Sequence, residues 1–283
     1  MADGAVSARR SGDSRTLRHR ERGENFPVAV TVLPRRLRAD LHAVYGFART
    51  VDDLGDRAAG DRTAQLHEFR DDLAEVWGSG RPELPVHQRL VEVVRRHELD
   101  QADFQKLVEA NLQDQVVSRY ETPADLLGYC ELSANPVGRI VLGVFDCSTP
   151  ERVTWSDAVC SALQLLEHWQ DVREDALAGR IYLPMQDLRA HGVDPAELTG
   201  TTAGRQLRNL VRTEVDRAAA MLDEGAPLVG DLRGWAKIAV AGFVAGGRAT
   251  VLALRRTEGD VLARPARPRR TDTARRMLRE LVR

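Results

Sequence analysis

The chain has 283 residues, 43% of them apolar and 29% charged, enough for one large domain or two small ones with an ample core. Its 41 basic and 42 acidic residues leave a formal net charge of −1, without the basic excess that marks a nucleic-acid binder. Cys130, Cys147 and Cys160 are odd in number and lack Cys-x-x-Cys spacing, which argues against a disulfide framework or a zinc site.

Residues 1–23 are rich in Arg, Ser and Gly and lack an apolar core segment, so they read as a disordered basic arm and not a secretory signal. No uncharged apolar run reaches the roughly 18 residues of a membrane span. Together these lead us to expect a cytoplasmic protein, with room for peripheral contact at the inner face of the cell membrane. Folding is expected over 24–262. Pro34 and the Arg/Leu run after it predict a helix start, and Leu37, Leu41, Val44, Ala48 and Val51 then recur at spacings of three and four. Similar patterns predict helices over 61–77, 85–98, 101–118, 122–146, 151–177, 201–224 and 231–257, punctuated by Pro82, Pro123, Pro150 and Pro227. Strand alternation and internal repeats are absent, giving a single all-α domain of roughly eight helices. Residues 263–283 form a basic, proline-broken tail with a short helix from Thr273 to Val282. Such a basic amphipathic segment can touch anionic lipid, but its shortness favours a solvated tail.

Two acidic clusters carry the chemistry. The first is Arg49-Thr50-Val51-Asp52-Asp53-Leu54-Gly55-Asp56; the second is Gln170-Asp171-Val172-Arg173-Glu174-Asp175, running into Gly179-Arg180-Ile181-Tyr182-Leu183-Pro184. Each holds two aspartates four residues apart, on one face if the segment is helical, where like charges repel. Two such pairs facing each other call for divalent cations, and Mg²⁺ favours one or two carboxylates plus substrate phosphates. The pattern therefore suggests a metal–diphosphate clamp. Plainer readings stand beside it: a frayed acidic helix end at Gly55, and a wet polar stripe through Gln164, Glu167, Asp171 and Asp175. In Ser133-Ala134-Asn135-Pro136-Val137-Gly138-Arg139, small residues and a proline interrupt an apolar pattern, which fits a kink at a ligand or simply tight helix packing. There is no Gly-x-Gly-x-x-Gly, P-loop, Glu-x-x-His pair or nucleophile elbow.

Tyr45-Gly46-Phe47-Ala48-Arg49 leading into the first cluster, and the second cluster with its Gly-Arg-Ile-Tyr-Leu-Pro sequel, resemble the squalene/phytoene synthase family of head-to-head prenyl transferases. Three segments look most like its bacterial hopanoid-pathway branch, the hydroxysqualene synthases: Glu24-Asn25-Phe26-Pro27, Ser133 to Arg139, and Glu167-His168-Trp169-Gln170-Asp171. The resemblance implies the all-α isoprenoid synthase fold with a central apolar tunnel. It makes Asp52, Asp56, Asp171 and Asp175 ligands of Mg²⁺, and Arg49, Arg180 and Tyr182 diphosphate partners. Tyr45, Tyr129 and Asn135 are expected in catalytic roles, with Asn135 or Glu131 as a polar group near the tunnel mouth that could position water. Glu167 departs from the Asn common in relatives, and Glu131-Leu132 after Tyr129-Cys130 replaces the usual aromatic. The implied reaction converts presqualene diphosphate and water to hydroxysqualene and diphosphate. The alternatives are condensation of two prenyl diphosphates, or a catalytically silent scaffold. Contact with other hopanoid-pathway enzymes is a further expectation.

Overall fold

Capping residues and prolines divide the chain into thirteen α-helices and one 3₁₀ turn over residues 33–264 and 266–282, the part that this computed structural model describes. The arm at 1–23 and the Glu24-Asn25-Phe26-Pro27 segment lie outside the described residues. In chain order the helices are α1 Arg35–Arg57, α2 Arg62–Ala74, α3 Pro85–His97, α4 Gln101–Gln113, α5 Pro123–Ser133, α6 Asn135–Val144 and α7 Pro150–Gln170. They continue as α8 Val172–Leu177, α9 Met185–His191, α10 Arg205–Gly225, α11 Pro227–Asp231, α12 Gly234–Arg256 and α13 Arg270–Val282. Asp61, Asp100, Thr122 and Thr149 each accept a hydrogen bond from a first-turn N–H, satisfying donors that the helix cannot. No strand forms among the described residues; Arg119 and Ile181 make one isolated parallel bridge.

Two predicted helices are each broken in two. The 122–146 segment stops at Ser133 and restarts at Asn135, with Ala134 at φ −118° between them. Pro136 thus sits in a first turn, where its missing N–H costs nothing, and does not kink a continuous helix. The 151–177 segment breaks at Asp171, with φ −109° and ψ 16°. Helices α9 and α11 were not expected; at seven and five residues they are too short for a periodic signal.

The packing has two main lobes, with a third apolar cluster around Leu142, Val159, Ala162, Leu228 and Val244. In the first, α1 to α4 and α6 enclose Phe47, Phe69, Phe104, Leu66 and Leu90. In the second, α5, α7, α10 and α12 bury Trp169, Leu166, Leu207, Leu210 and Leu254. Small residues set the close approaches. A Cβ on Gly138 would stand 2.3 Å from Ser156 Oγ and 2.5 Å from Cys160 Sγ, so the small residues around Asn135 serve tight packing of α6 on α7. Cys130 is buried and all three cysteines are free.

By length and composition α12 could cross a membrane, but 67% of its apolar window is buried inside the protein, as in a core helix. Along it lies α13, the short helix expected in the tail. That tail is not simply solvated: Glu280 is 2% exposed and paired with Arg248 at 3.3 Å, Asp272 meets Arg256 at 2.5 Å, and Ala266 is buried in the second lobe.

The α7–α10 contact yields a direct test. A Cβ on Gly225 would meet the Trp155 carbonyl oxygen at 2.5 Å and the Val159 nitrogen at 2.9 Å, both backbone atoms that cannot swing aside. Gly225→Ala is expected to cost about 1–3 kcal/mol, the range for overpacking, read as a lower denaturant midpoint at unchanged slope.

Candidate active site

The first acidic cluster occupies the last two turns of α1, which runs on past Gly55 to Arg57. Gly55 therefore does not fray the helix. It lets α4 approach: a Cβ there would lie 2.2 Å from Asn111 Oδ1, and Gln115 Nε2 donates to the Gly55 carbonyl at 3.1 Å. Asn111, 8% exposed, also donates from Nδ2 to Asp52 Oδ1 at 3.3 Å. Arg49 pairs with Asp53 at 3.1 Å. Tyr45 is half-buried on the same face as Asp52, two turns nearer the start of the helix.

The second cluster straddles the α7–α8 break. Asp171 closes α7, and the Asp175 N–H still bonds to the Asp171 carbonyl at 2.9 Å, so the pair keeps a helical step although the axis changes. Beyond α8 the chain doubles back, with Arg180 N–H on the Asp175 carbonyl at 2.8 Å. It then lies against the segment after α4: Ile181 N–H donates to Ser118 at 2.8 Å and Met185 N–H to Tyr120 at 2.9 Å. This backbone pairing fixes Arg180 and Tyr182, and Arg180 Nη1 reaches Asp56 Oδ1 at 3.0 Å. One guanidinium thus ties the second motif to the first.

Between the motifs stands Asp114, one residue past α4, which sequence reasoning missed. It accepts a 2.7 Å hydrogen bond from Tyr129 Oη and shares an electrostatic field with Arg180, Asp56 and Asp175. Burial, then Asp56 and Asp175, push its carboxyl up to about 6 against the pull of the Tyr129 bond and Arg180. Asp52 also rises to about 6: protein crowding its carboxylate strips water from it, and Asp56 and Asp53 add repulsion that Asn111 and Arg49 only partly offset. Asp171 reaches about 6 through burial and then Asp175 and Glu174, with Arg267 opposing. Burial alone would lower the pKa of Arg180, but Tyr182, Asp114 and Asp56 overcome it, so the guanidinium stays charged.

Tyr120, Tyr129, Tyr182 and His168 form an aromatic wall beneath these charges. Tyr182 stacks on His168 at 3.6 Å and lies 5.8 Å from Tyr120 and 5.9 Å from Tyr129. Burial raises the pKa of Tyr129, and the adjacent Asp114 adds to it, so the phenol remains protonated. The C-terminal segment reaches this site too: Gln170 Nε2 donates to the Ala266 carbonyl, and Arg267 acts on Asp171. Asn135 stands apart, 4% exposed, its Oδ1 accepting from Ser161 Oγ at 2.8 Å inside the α6–α7 pair. Glu167 is exposed on α7. The cavity beside the second motif measures about 10 Å³, lined by His168, Val172, Asp175, Tyr182, Leu183 and Leu198 among others.

The donor set fits Mg²⁺. All the site's carboxylates are hard oxygen ligands, and the burial and, after it, the neighbouring acids that lift the pKa of Asp52, Asp114 and Asp171 impose a cost that a divalent cation would relieve. Among the described residues no group of three or more acids, histidines or cysteines stands close enough together to hold a metal ion by itself. An open arrangement suits an ion that completes its shell with water and phosphate oxygens.

Residues 19–275 match the family model for squalene/phytoene synthase. The chain belongs to the squalene/phytoene synthase family. It is 36% identical over 222 residues to a hydroxysqualene synthase of Rhodopseudomonas palustris, covering 75% of this chain and 72% of that one. A presqualene diphosphate synthase of the same species is 32% identical over 204 residues, covering 70% and 71%. The crystal structure of squalene synthase HpnC from Alicyclobacillus acidocaldarius superposes with a TM-score of 0.80 at 38% identity, over 86% of this chain and 93% of that one. This family comprises head-to-head prenyl diphosphate synthases, and the isoprenoid synthase fold is the one found here.

The strained carboxylates set a pH test for the metal-free synthase. A carboxyl whose folded pKa is raised costs stability when ionised, above about pH 6, and the cost fades as pH falls toward its ordinary value of 3.8. Asp52→Asn is therefore expected to raise Tm at pH 8 by a few degrees, a modest gain because solvent still screens this carboxylate, and to leave it unchanged at pH 4. Differential scanning calorimetry at both pH values checks this; a lower Tm at pH 8 contradicts it.

Proposed function

We propose that this synthase is a hydroxysqualene synthase, converting presqualene diphosphate and water to hydroxysqualene and diphosphate. The observation that carries the reading is the Arg180–Asp56 bond, which brings both aspartate motifs and a charged guanidinium to one place. Relatives named hydroxysqualene synthase, at 34–36% identity, supply the branch. Asp52, Asp56, Asp171 and Asp175 would hold Mg²⁺ on the substrate diphosphate, and the bound metal would neutralise the charge of the departing group.

The chain's own residues do the rest. Arg180 is already charged and partly buried, so exchanging Asp56 for phosphate oxygens needs only a side-chain swing, and its fork suits them. Arg49 can make the same exchange from Asp53. Tyr182 keeps its hydroxyl protonated, a donor available to developing negative charge, while the one O–H of Tyr129 is committed to Asp114. The aromatic rings below them, with His168, face the cationic hydrocarbon with polarizable surface and little water. Asp114 fixes the Tyr129 hydroxyl.

The test uses purified protein with Mg²⁺, no NADPH, and presqualene diphosphate or farnesyl diphosphate in separate reactions, with products identified by mass spectrometry. Hydroxysqualene from presqualene diphosphate is the expected result. Presqualene diphosphate made from farnesyl diphosphate would keep the clamp and move the chain to the condensing branch, toward its 32% identical relative. Asp52→Ala and Asp171→Ala are each expected to cut turnover by more than a hundredfold with circular dichroism unchanged, as loss of an electrostatic group at a departing anion does. A scaffold would tolerate both.

We also infer peripheral contact between α13 and the inner face of the cell membrane. Asp272 and Glu280 turn inward onto Arg256 and Arg248, leaving Arg275, Leu278, Arg279 and Val282 on the outward stripe. Leu278 is 67% and Val282 88% exposed. Basic residues flanking apolar ones suit an anionic bilayer. Co-sedimentation with vesicles rich in anionic lipid is expected, and with neutral vesicles not; Arg275→Glu with Arg279→Glu is expected to abolish it.

A further inference from the structure

His168 is buried in α7 one turn before Asp171, and three contacts fix its ring. One face stacks on Tyr182 at 3.6 Å with 14° between the planes. Its Nε2 lies 3.2 Å from Gln164 Nε2, a hydrogen bond along the helix. Its Nδ1 stands 3.9 Å from Asp175 Oδ2, too far for a direct hydrogen bond but the right span for a bridging water. The cavity of about 10 Å³ lies here, with His168, Asp175 and Tyr182 as polar lining and Val172, Leu183 and Leu198 as apolar lining. That volume matches one water molecule, and a buried water requires two to four polar partners, which this lining supplies.

We propose that His168, positioned by Gln164 and Tyr182, holds with Asp175 the single water that captures the C30 cation, and so makes the product an alcohol. The inference rests on the hydroxysqualene synthase reading. Loss of diphosphate breaks the C–O bond of presqualene diphosphate and leaves a rearranged carbocation. A lone pair of the held water forms the new C–O bond. The proton released goes to the departed diphosphate, the base set free in the same turnover, so atoms and charge balance without a further reactant. His168 acts as a hydrogen-bonding partner that aims the water oxygen; its protonation state need not change. Without the niche, the same cation would lose a proton from a neighbouring carbon and end as a hydrocarbon.

The experiment measures the ratio of alcohol to hydrocarbon formed from presqualene diphosphate with Mg²⁺. His168→Phe keeps a ring to stack on Tyr182 and removes both ring nitrogens, while His168→Gln restores a polar partner. His168→Phe is expected to lower the alcohol-to-hydrocarbon ratio about tenfold, the scale of one lost hydrogen bond, with substrate consumption continuing. His168→Gln is expected to recover most of the alcohol. A merely structural role would lower the rate and leave the ratio alone, so an unchanged ratio in His168→Phe overturns the proposal. If the Phe variant fails to fold, Gln164→Leu, which releases the other edge of the ring, carries the test: a ratio equal to the parent's likewise overturns it. A parent protein that makes no alcohol from presqualene diphosphate removes the functional reading itself, an outcome distinct from a ratio that does not move.

Discussion

Burial of carboxylates beside one another governs this site. Asp52 acts on Asp56, Asp56 on Asp114, Asp114 on Asp175 and Asp175 on Asp171, a continuous acidic chain across both lobes. Three of the five have their pKa pushed up to about 6, so at neutral pH the folded protein holds charge that it would rather shed. Arg180, bonded to Asp56 and close to Asp114, is the cation placed between the motifs; with Arg49 acting on Asp52 and Arg267 on Asp171, three positive charges still fall short of five negative ones. On the proposed function the imbalance would be relieved by Mg²⁺ and a trianionic substrate together: metal without phosphate would leave open coordination positions, and phosphate without metal would add to the repulsion.

The fold exists to hold those charges in register. Gly55 allows α4 to press against the first motif, which brings Asn111 to Asp52 and sets Asp114 beyond the helix end. The chain after α4 then pairs with the chain after α8, and that short contact carries Arg180 and Tyr182 to their places. Below, Tyr120, Tyr129, Tyr182 and His168 bury aromatic surface under the charges, lowering the local dielectric and strengthening every electrostatic interaction above. Stability and chemistry oppose each other here, and the cost of the acidic cluster is met by two well-packed lobes.

Much of this was legible in the sequence because helical periodicity and two long acidic motifs are strong local signals. The helices α3, α10 and α12 lie within a few residues of their expected bounds, and α1 starts where Pro34 predicts. Proximity across the chain was less legible. Asp114 carries no motif around it, and its role arises only when α4 ends beside Arg180 and Tyr129. Asn111 carries no motif either, and only Gly55 opposite it gives it meaning. His168 was read as part of a family signature; its stacking on Tyr182 depends on the turn at 179–182, beyond reach of periodicity. At Ala134 the small residues and Pro136 signalled an interruption but read equally as a kink or tight packing, whereas the break at Asp171 leaves the apolar pattern of α7 and α8 without a visible signal, since backbone torsion can change without changing which residues are apolar.

Titration calorimetry of inorganic diphosphate into the protein, with and without Mg²⁺, tests the central claim most directly, because it asks for the clamp without asking for any particular product. The account predicts binding with Mg²⁺ that is lost when the metal is chelated, as the unbalanced carboxylates require. Equal binding with and without Mg²⁺, or none in either case, would contradict it.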